Sequence, residues 1–349
     1  MGQYNCKRCT NSLASKIFFR RDHFIRQEII SVLNFEQDDG QHHVMTILNL
    51  HDRWKKLKHE RHCSEVLERR MLHHAAKLCY YWWLSNSNLV CQVLYRIYQL
   101  ESHFSIVYNQ DISFINEEPQ TDDWPIPIAH CNVDSNEYAK IIYFLRHANN
   151  CKMTINGVRF SDMPISSFSP LPPWVSTVLR GKPRLLQLLL QHGSMIEPDN
   201  ILLNNSWKYY LNPSRYLRYT ISVLWTRNVK SLPTEYIIND LQLQRSILIV
   251  KLLLRVIPQL QRRDLTFNLS KYSPGKSLCV TKSSSFVVDL SERGIIWNLR
   301  ERYLEPSELR HLCRCVIRRH LRKMWKLPLG IFELPLPNLL QKYLNLEHD

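Results

Sequence analysis

Pro306-Ser307-Glu308-Leu309-Arg310-His311-Leu312-Cys313-Arg314-Cys315-Val316-Ile317-Arg318 is the stretch on which the reading of this chain turns. At about 100° per residue, Leu309, Leu312, Cys313, Val316, Ile317 and Leu321 fall on one face of a helix. Arg310, Arg314, Arg318, Arg319 and Arg322 fall on the other, the face expected to meet solvent. Ser307, just after Pro306, suits the N-cap. A cysteine inside such a stripe behaves as a small hydrophobe rather than a nucleophile.

The residues that follow extend the pattern. After a loop around Leu327-Pro328-Leu329-Gly330-Ile331-Phe332 comes Leu334-Pro335-Leu336-Pro337, whose two prolines force an extended segment. Pro337 can open a last helix presenting Leu339, Leu340, Tyr343 and Leu344. A segment this short has too little core to stand alone. It needs its own preceding domain or another protein to pack against.

Upstream, Pro172-Pro173-Trp174-Val175 leads through Gly181 to Leu185-Leu186-Gln187-Leu188-Leu189-Leu190 and then Gln191-His192-Gly193. A proline in the first turn loses no backbone donor, so Pro173 starts a short helix. Gly181 supplies the turn, Leu189 and Leu190 belong to a nearly all-apolar second helix that must be buried, and Gly193 ends it in the left-handed conformation. Weaker partners are Ile141 to His147, Val250 to Leu254, and a distorted unit between Trp207 and Trp225. Residues 1–115 read as helices, with stripes from Arg20 to Phe35 and from His51 to Leu100. Tyr80-Tyr81-Trp82-Trp83 reads there as a helical packing unit. Glu117 to Asp123 is an acidic connector, and the Ser-rich stretch around Lys276 to Ser285 belongs to a linker over 264–302. The expected fold is all-α: an N-terminal helical region, a short degenerate solenoid over 116–263, and three terminal helices over 303–349.

The helix-turn-helix spacing of Pro173, Gly181, Leu189, Leu190 and Gly193 resembles an ankyrin repeat, with Trp174-Val175 where the family carries Leu-His. Leu309-x-x-x-Cys313-x-x-x-Ile317 followed by Leu334-Pro335-Leu336-Pro337 resembles the SOCS box, with Glu308 as a departure just before the first leucine. Together they are similar to the ankyrin repeat and SOCS box family; residues 1–110 lie outside the resemblance. The resemblance implies that Leu309, Leu312, Cys313, Val316 and Ile317 dock into elongin C, which comes with elongin B, as a helix in a groove. It implies that Leu334, Pro335, Leu336 and Pro337 favour cullin-5 and its RING partner. The repeats would then hold a protein substrate of unknown identity.

Composition bounds the alternatives. The 349 residues suit about two domains. A hydrophobic fraction of 44% supports a sizeable core. Only eight glycines occur, none in a G-x-G arrangement, which removes both dinucleotide and phosphate loops. The net charge of +15 is concentrated between Arg310 and Lys326, where seven Arg or Lys meet no carboxylate. Nucleic-acid binding is therefore a competing reading, as is a plain ankyrin scaffold that recruits no ligase. The absence of an apolar leader, and of any run near the ~20 residues a membrane helix needs, points to a cytoplasmic or nuclear protein with its ten cysteines reduced. Cys6 and Cys9 with His59, His62 and Cys63 have the residue types for zinc but lack a second paired spacing, and His73 and His74 point to different helix faces. No metal, no cofactor, no catalytic residue and no enzyme activity of the chain itself are expected.

Overall fold

The computed structural model describes residues 40–56, 61–108, 138–165, 171–194, 216–217, 220, 240–259 and 308–348, in two compact units, Met1–Cys151 and Lys152–Asp349. The Arg20–Phe35 stripe, the Glu117–Asp123 connector, the 264–302 linker, Cys6, Cys9, His59, Ser307 and most of Trp207–Trp225 lie outside the described residues.

Apolar side chains spaced by one helical turn build the first unit. Helices α1 (Gly40–Lys56), α2 (Arg61–Tyr81), α3 (Ser87–Glu101), α4 (Ser105–Tyr108) and α5 (Ala139–Asn150) follow in order. Val44 and Ile47 on α1, Met71, Leu72 and Ala75 on α2, and Val90, Val93, Leu94 and Ile97 on α3 are each 0–1% exposed and share one core. Asn86 caps α3 by accepting from the Leu89 N–H at 3.2 Å. Arg96 donates two hydrogen bonds to Asp52, at 2.8 and 3.0 Å, tying α3 to α1. The aromatic cluster is structural, although only Tyr80 and Tyr81 are helical and Trp83 lies just past the helix end. Tyr80 and Trp83 pack on Tyr143 of α5 at 5.8 and 5.2 Å between ring centroids.

The two adjacent histidines diverge as helix geometry demands. His73 pairs with the buried Glu101 carboxylate at 2.7 Å, whereas burial pulls His74 down from 6.5 to about 4. His74 is thus neutral when folded, while the unfolded chain binds a proton below about pH 6.5. Stability is therefore expected to fall with pH by about 1 kcal/mol per unit between 6.5 and 4, with no loss from this group above 6.5. Burial lowers His51, His103 and His147 in the same direction. Urea midpoints measured from pH 7.5 to 4.5 for the wild type and His74→Phe would check this. Parallel pH profiles would remove His74 from the account.

In the second unit, Asn156 and Gly157, both with positive φ (53° and 75°), turn the hairpin of β1 (Thr154–Ile155) and β2 (Val158–Arg159). It is the sole strand pair among the described residues, so the all-α expectation holds in all but these four positions. A 3-10 turn over Phe160–Asp162 follows, then α6 (Pro173–Leu179) and α7 (Pro183–Gln191). Each of these two helices has its proline in the first turn. Trp174, where the repeat pattern has leucine, is fully buried with its ring edge-on to Tyr216 at 5.2 Å. Helix α8 (Leu241–Val256) lies against α7, its first N–H groups held by Asp240 Oδ1 at 2.8 and 3.0 Å. The terminal elements are α9 (Leu309–Lys323), a 3-10 turn at Leu329–Ile331 and α10 (Asn338–Leu344).

Gly181 and Gly193 both adopt the left-handed conformation, at φ +65° and +85°. A Cβ at Gly181 would meet open space, but at Gly193 it would lie 3.4 Å from both Arg322 Cγ and Leu327 Cδ1. Gly193→Ala is expected to cost about 1–2 kcal/mol, and Gly181→Ala about 1, in urea unfolding. Equal costs would mean that Arg322 and Leu327 yield freely.

Candidate functional site

A helix whose apolar stripe faced its own domain would bury Leu309 and Val316. In α9 these side chains are 75% and 59% exposed, Cys313 is exposed and Leu312 half-buried. The opposite face is inside: His311 and Arg314 are fully buried and Arg318 is 7% exposed. The expectation that the arginine face meets solvent is thus overturned at Arg314 and Arg318. The helix starts at Leu309, so Glu308 rather than Ser307 holds the N-cap position, and it makes no side-chain cap bond.

The reason lies in backbone acceptors that neighbouring elements leave over. The last carbonyls of a helix have no partner within it and attract cations. Arg318 donates one Nη to Leu190 O at the end of α7 and the other to Leu344 O in α10, the latter at 2.7 Å. Arg322 Nε donates to Gly193 O at 2.8 Å, and its Nη2 lies 3.7 Å from the Asp162 carboxylate. His311 Nε2–H donates to Ile257 O at 2.8 Å, just past α8. In that tautomer its Nδ1 accepts from Arg314 Nη2 at 3.0 Å, one neutral imidazole serving both contacts. The Arg310 and Arg314 guanidinium groups lie against the Tyr343 ring at 4.1 and 4.2 Å. Burial, with Arg314 close by, lowers Arg318 to about 10, which leaves it charged at neutral pH.

The C-terminus returns the contacts. Gln191 Nε2 and Gln187 Nε2 on α7 donate to Asn345 O and Leu346 O at 2.9 and 3.2 Å. Arg255 on α8 adds a second bond to Leu346 O at 2.7 Å. Arg159 of the hairpin stacks on Trp325 at 3.8 Å. The terminal helices are therefore fastened to α7 and α8 by polar bonds as well as by packing.

Their own small core comprises Leu321, Leu327, Ile331, Tyr343 and Leu344, with Ile317, Leu334 and Leu336 packed against it. Ile317 thus faces partly inward and Leu321 fully so, unlike Leu309, Cys313 and Val316 of the same stripe. In the Leu334–Pro337 segment the leucines point to this core and Pro335 and Pro337 stand exposed. Gln341 Nε2 braces the segment by donating to Leu334 O at 3.1 Å. Leu329, Phe332, Leu339 and Leu340 add 53%, 48%, 64% and 36% exposed apolar side chains among the same elements. Two apolar surfaces result, one along α9 and one around the prolines. Of the last helix, Tyr343 and Leu344 are core and Leu339 and Leu340 are surface, a division its sequence alone leaves undrawn. The repeat residues Pro173, Leu189 and Leu190 are buried, and Gly181 and Gly193 stand at the two turns. Among the described residues no group of His, Cys, Asp or Glu could hold a metal ion, and no helix is long and apolar enough to cross a membrane.

Comparison with known proteins points to the same segment. The SOCS box family model matches residues 305–345. Ankyrin repeat and SOCS box protein 17 of Bos taurus is 30% identical over 189 residues, 53% of this chain and 51% of that protein. Its counterpart in Homo sapiens is 56% identical over 46 residues, 13% of this chain and 16% of that protein. The counterpart in Canis lupus familiaris is 49% identical over 65 residues, 17% of this chain and 22% of that protein. The chain thus spans at most about half the length of these relatives. No solved structure matches it.

Proposed function

The chain carries a SOCS box and is similar to ankyrin repeat and SOCS box protein 17, and from this we propose that it is the substrate-recognition adaptor of an elongin B/C–cullin-5 RING ubiquitin ligase. The observation that carries the reading is the inverted helix α9, with Arg314 and Arg318 inside and Leu309 and Val316 outside. Water-exposed apolar area costs about 25 cal/mol per Å², which docking into an apolar groove recovers. Leu309, Leu312, Cys313 and Val316 supply the elongin C contact, with Ile317 at its inner edge. Pro335 and Pro337 supply the cullin contact, and Leu334 and Leu336 hold them in place from within.

In this reading residues 303–349 are the box, 116–263 the degenerate ankyrin repeats that hold the substrate, 264–302 a linker, and 1–115 an added helical region. In this reading the chemistry belongs to the ligase partners. Its contribution is proximity, bringing a substrate lysine to the ubiquitin thioester at high effective concentration. The protein would act in the cytoplasm or nucleus. The nucleic-acid reading loses support because His311, Arg314 and Arg318 are spent on internal contacts.

Co-expression of the full chain with elongins B and C, cullin-5 and its RING partner tests the proposal. The wild type is expected to purify as a stable complex. Pro335→Ala/Pro337→Ala should keep the elongins and lose cullin-5 by at least about tenfold in affinity. Wild-type protein that captures no elongin would end the adaptor reading.

A further inference from the structure

We propose that Cys91 and Cys151 are a redox-active pair that closes into a reversible disulfide under sustained oxidation. Cys91 lies on α3 and Cys151 at the C-cap of α5. Cys91 Sγ–H reaches His147 O, one turn before Cys151, at 3.3 Å. Cys151 Sγ–H reaches Asn88 Oδ1, one turn before Cys91, at 3.5 Å. His147 O also accepts from the Cys151 backbone N–H at 3.1 Å, so the Cys91 sulfur and Cys151 meet at one carbonyl of the α3–α5 contact.

That contact is independently held. Ser87 Oγ and His147 Nδ1 are 2.8 Å apart, and Asn150 Nδ2 donates to Ser87 Oγ at 3.3 Å. A disulfide requires close Cβ atoms and a restricted torsion, which two cysteines held at one helix–helix contact by these crossed bonds can approach by side-chain rotation. The other cysteines whose side chains are described offer no such pair. Cys313 and Cys315 are two apart on one helix and point to different sides, and Cys79 is buried within the core.

The oxidant is a hydroperoxide. Cys151, after its thiol proton is lost to water, attacks the terminal oxygen as the thiolate; the O–O bond breaks, a sulfenic acid forms, and the displaced alkoxide takes a proton back from water and leaves as the alcohol. Cys91 then attacks the sulfenyl sulfur; the S–S bond forms, and the expelled hydroxide takes the Cys91 proton as water. Two thiols and one hydroperoxide become one disulfide, one alcohol and one water. Burial pushes the Cys91 thiol well above its ordinary range, so the closing step is slow and the resting state is the dithiol. Closure would cross-link residues 60 apart and pin α5 to α3, narrowing the unfolded ensemble.

The intact chain would be treated with tert-butyl hydroperoxide, digested without reduction and mapped by mass spectrometry. The expected product is an intramolecular Cys91–Cys151 cross-link, about 2 Da lighter than the dithiol, that dithiothreitol reverses. It should raise Tm by about 5 °C. Cys91→Ser and Cys151→Ser should each abolish both effects while keeping the reduced Tm within about 2 °C. The wild-type map decides even if a variant folds poorly. Full alkylation of both thiols after the exposed Cys313 has been oxidised, or a dominant link between other cysteines, overturns the proposal.

Discussion

Leu309→Asp, alone or with Cys313→Asp, is expected to abolish elongin C capture while the chain folds as before. Leu309 is 75% exposed and touches none of the small terminal core, so a carboxylate there stays in water in the free protein. In a complex the same carboxylate would enter an apolar groove without a partner. Losing a buried leucine removes about 2–3 kcal/mol, and desolvating an unpaired charge costs several more. Affinity should therefore drop by at least about a hundredfold. Isothermal titration with elongin B/C would measure it, beside a thermal melt expected to move by less than about 1 °C. A plain ankyrin scaffold predicts the reverse pattern, a shifted melt with no elongin binding to lose. Val316→Asp, at 59% exposure on the same stripe, should behave like Leu309→Asp.

Arg318→Ala should do the opposite, with its main effect on stability. Its guanidinium binds Leu190 O and Leu344 O, two carbonyls 154 residues apart, from a position almost closed to solvent. Truncation leaves two buried acceptors without this donor and opens a cavity the length of the side chain. Bonds to charged groups contribute about 1.5–3 kcal/mol each, so the expected loss is about 3–5 kcal/mol in urea unfolding of the full chain. Arg318→Lys can reach one carbonyl but not both, and should recover part of the loss. The neighbouring Arg319, on the exposed side, should change by less than about 0.5 kcal/mol on conversion to alanine. Equal, small effects at 318 and 319 would mean that the guanidinium bonds contribute nothing net.

The two variants separate the two faces of α9, and their contrast explains what periodicity could and could not reveal. Leu309, Leu312, Cys313 and Val316 at helical spacing establish that an apolar face exists. Periodicity alone does not say whether that face meets its own domain or a partner. In an ordinary surface helix the apolar side is the buried one. Here α7, α8 and α10 present carbonyl oxygens instead, at Leu190, Ile257 and Leu344, and these select the arginine and histidine side. Ile317 shows the same limit more finely: it belongs to the stripe in sequence yet packs partly against Leu321 and Tyr343.

Local chemistry is more directly legible. Pro173 opens its helix because the missing donor costs nothing there, and Gly181 and Gly193 end theirs because glycine takes positive φ at little steric cost. Pro337 precedes a helix as its fixed φ allows, but the Leu334–Pro337 stretch, expected to be extended, bends instead, with the Leu336 N–H donating to Leu334 O at 2.7 Å. These properties belong to a few consecutive residues, so the amino-acid sequence by itself determined the proline-led helix starts, the glycine turns and which faces are apolar, although not the N-cap of α9. Which way α9 turns, that Leu334 and Leu336 point inward while Pro335 and Pro337 do not, and that Cys91 and Cys151 come to one helix–helix contact were decided only by the tertiary structure. Each depends on groups brought together from 56 to 128 positions apart or on the packing of several elements at once. No local spacing encodes such a meeting, because the acceptors that Arg318 finds exist only after α7 has ended and folded against it.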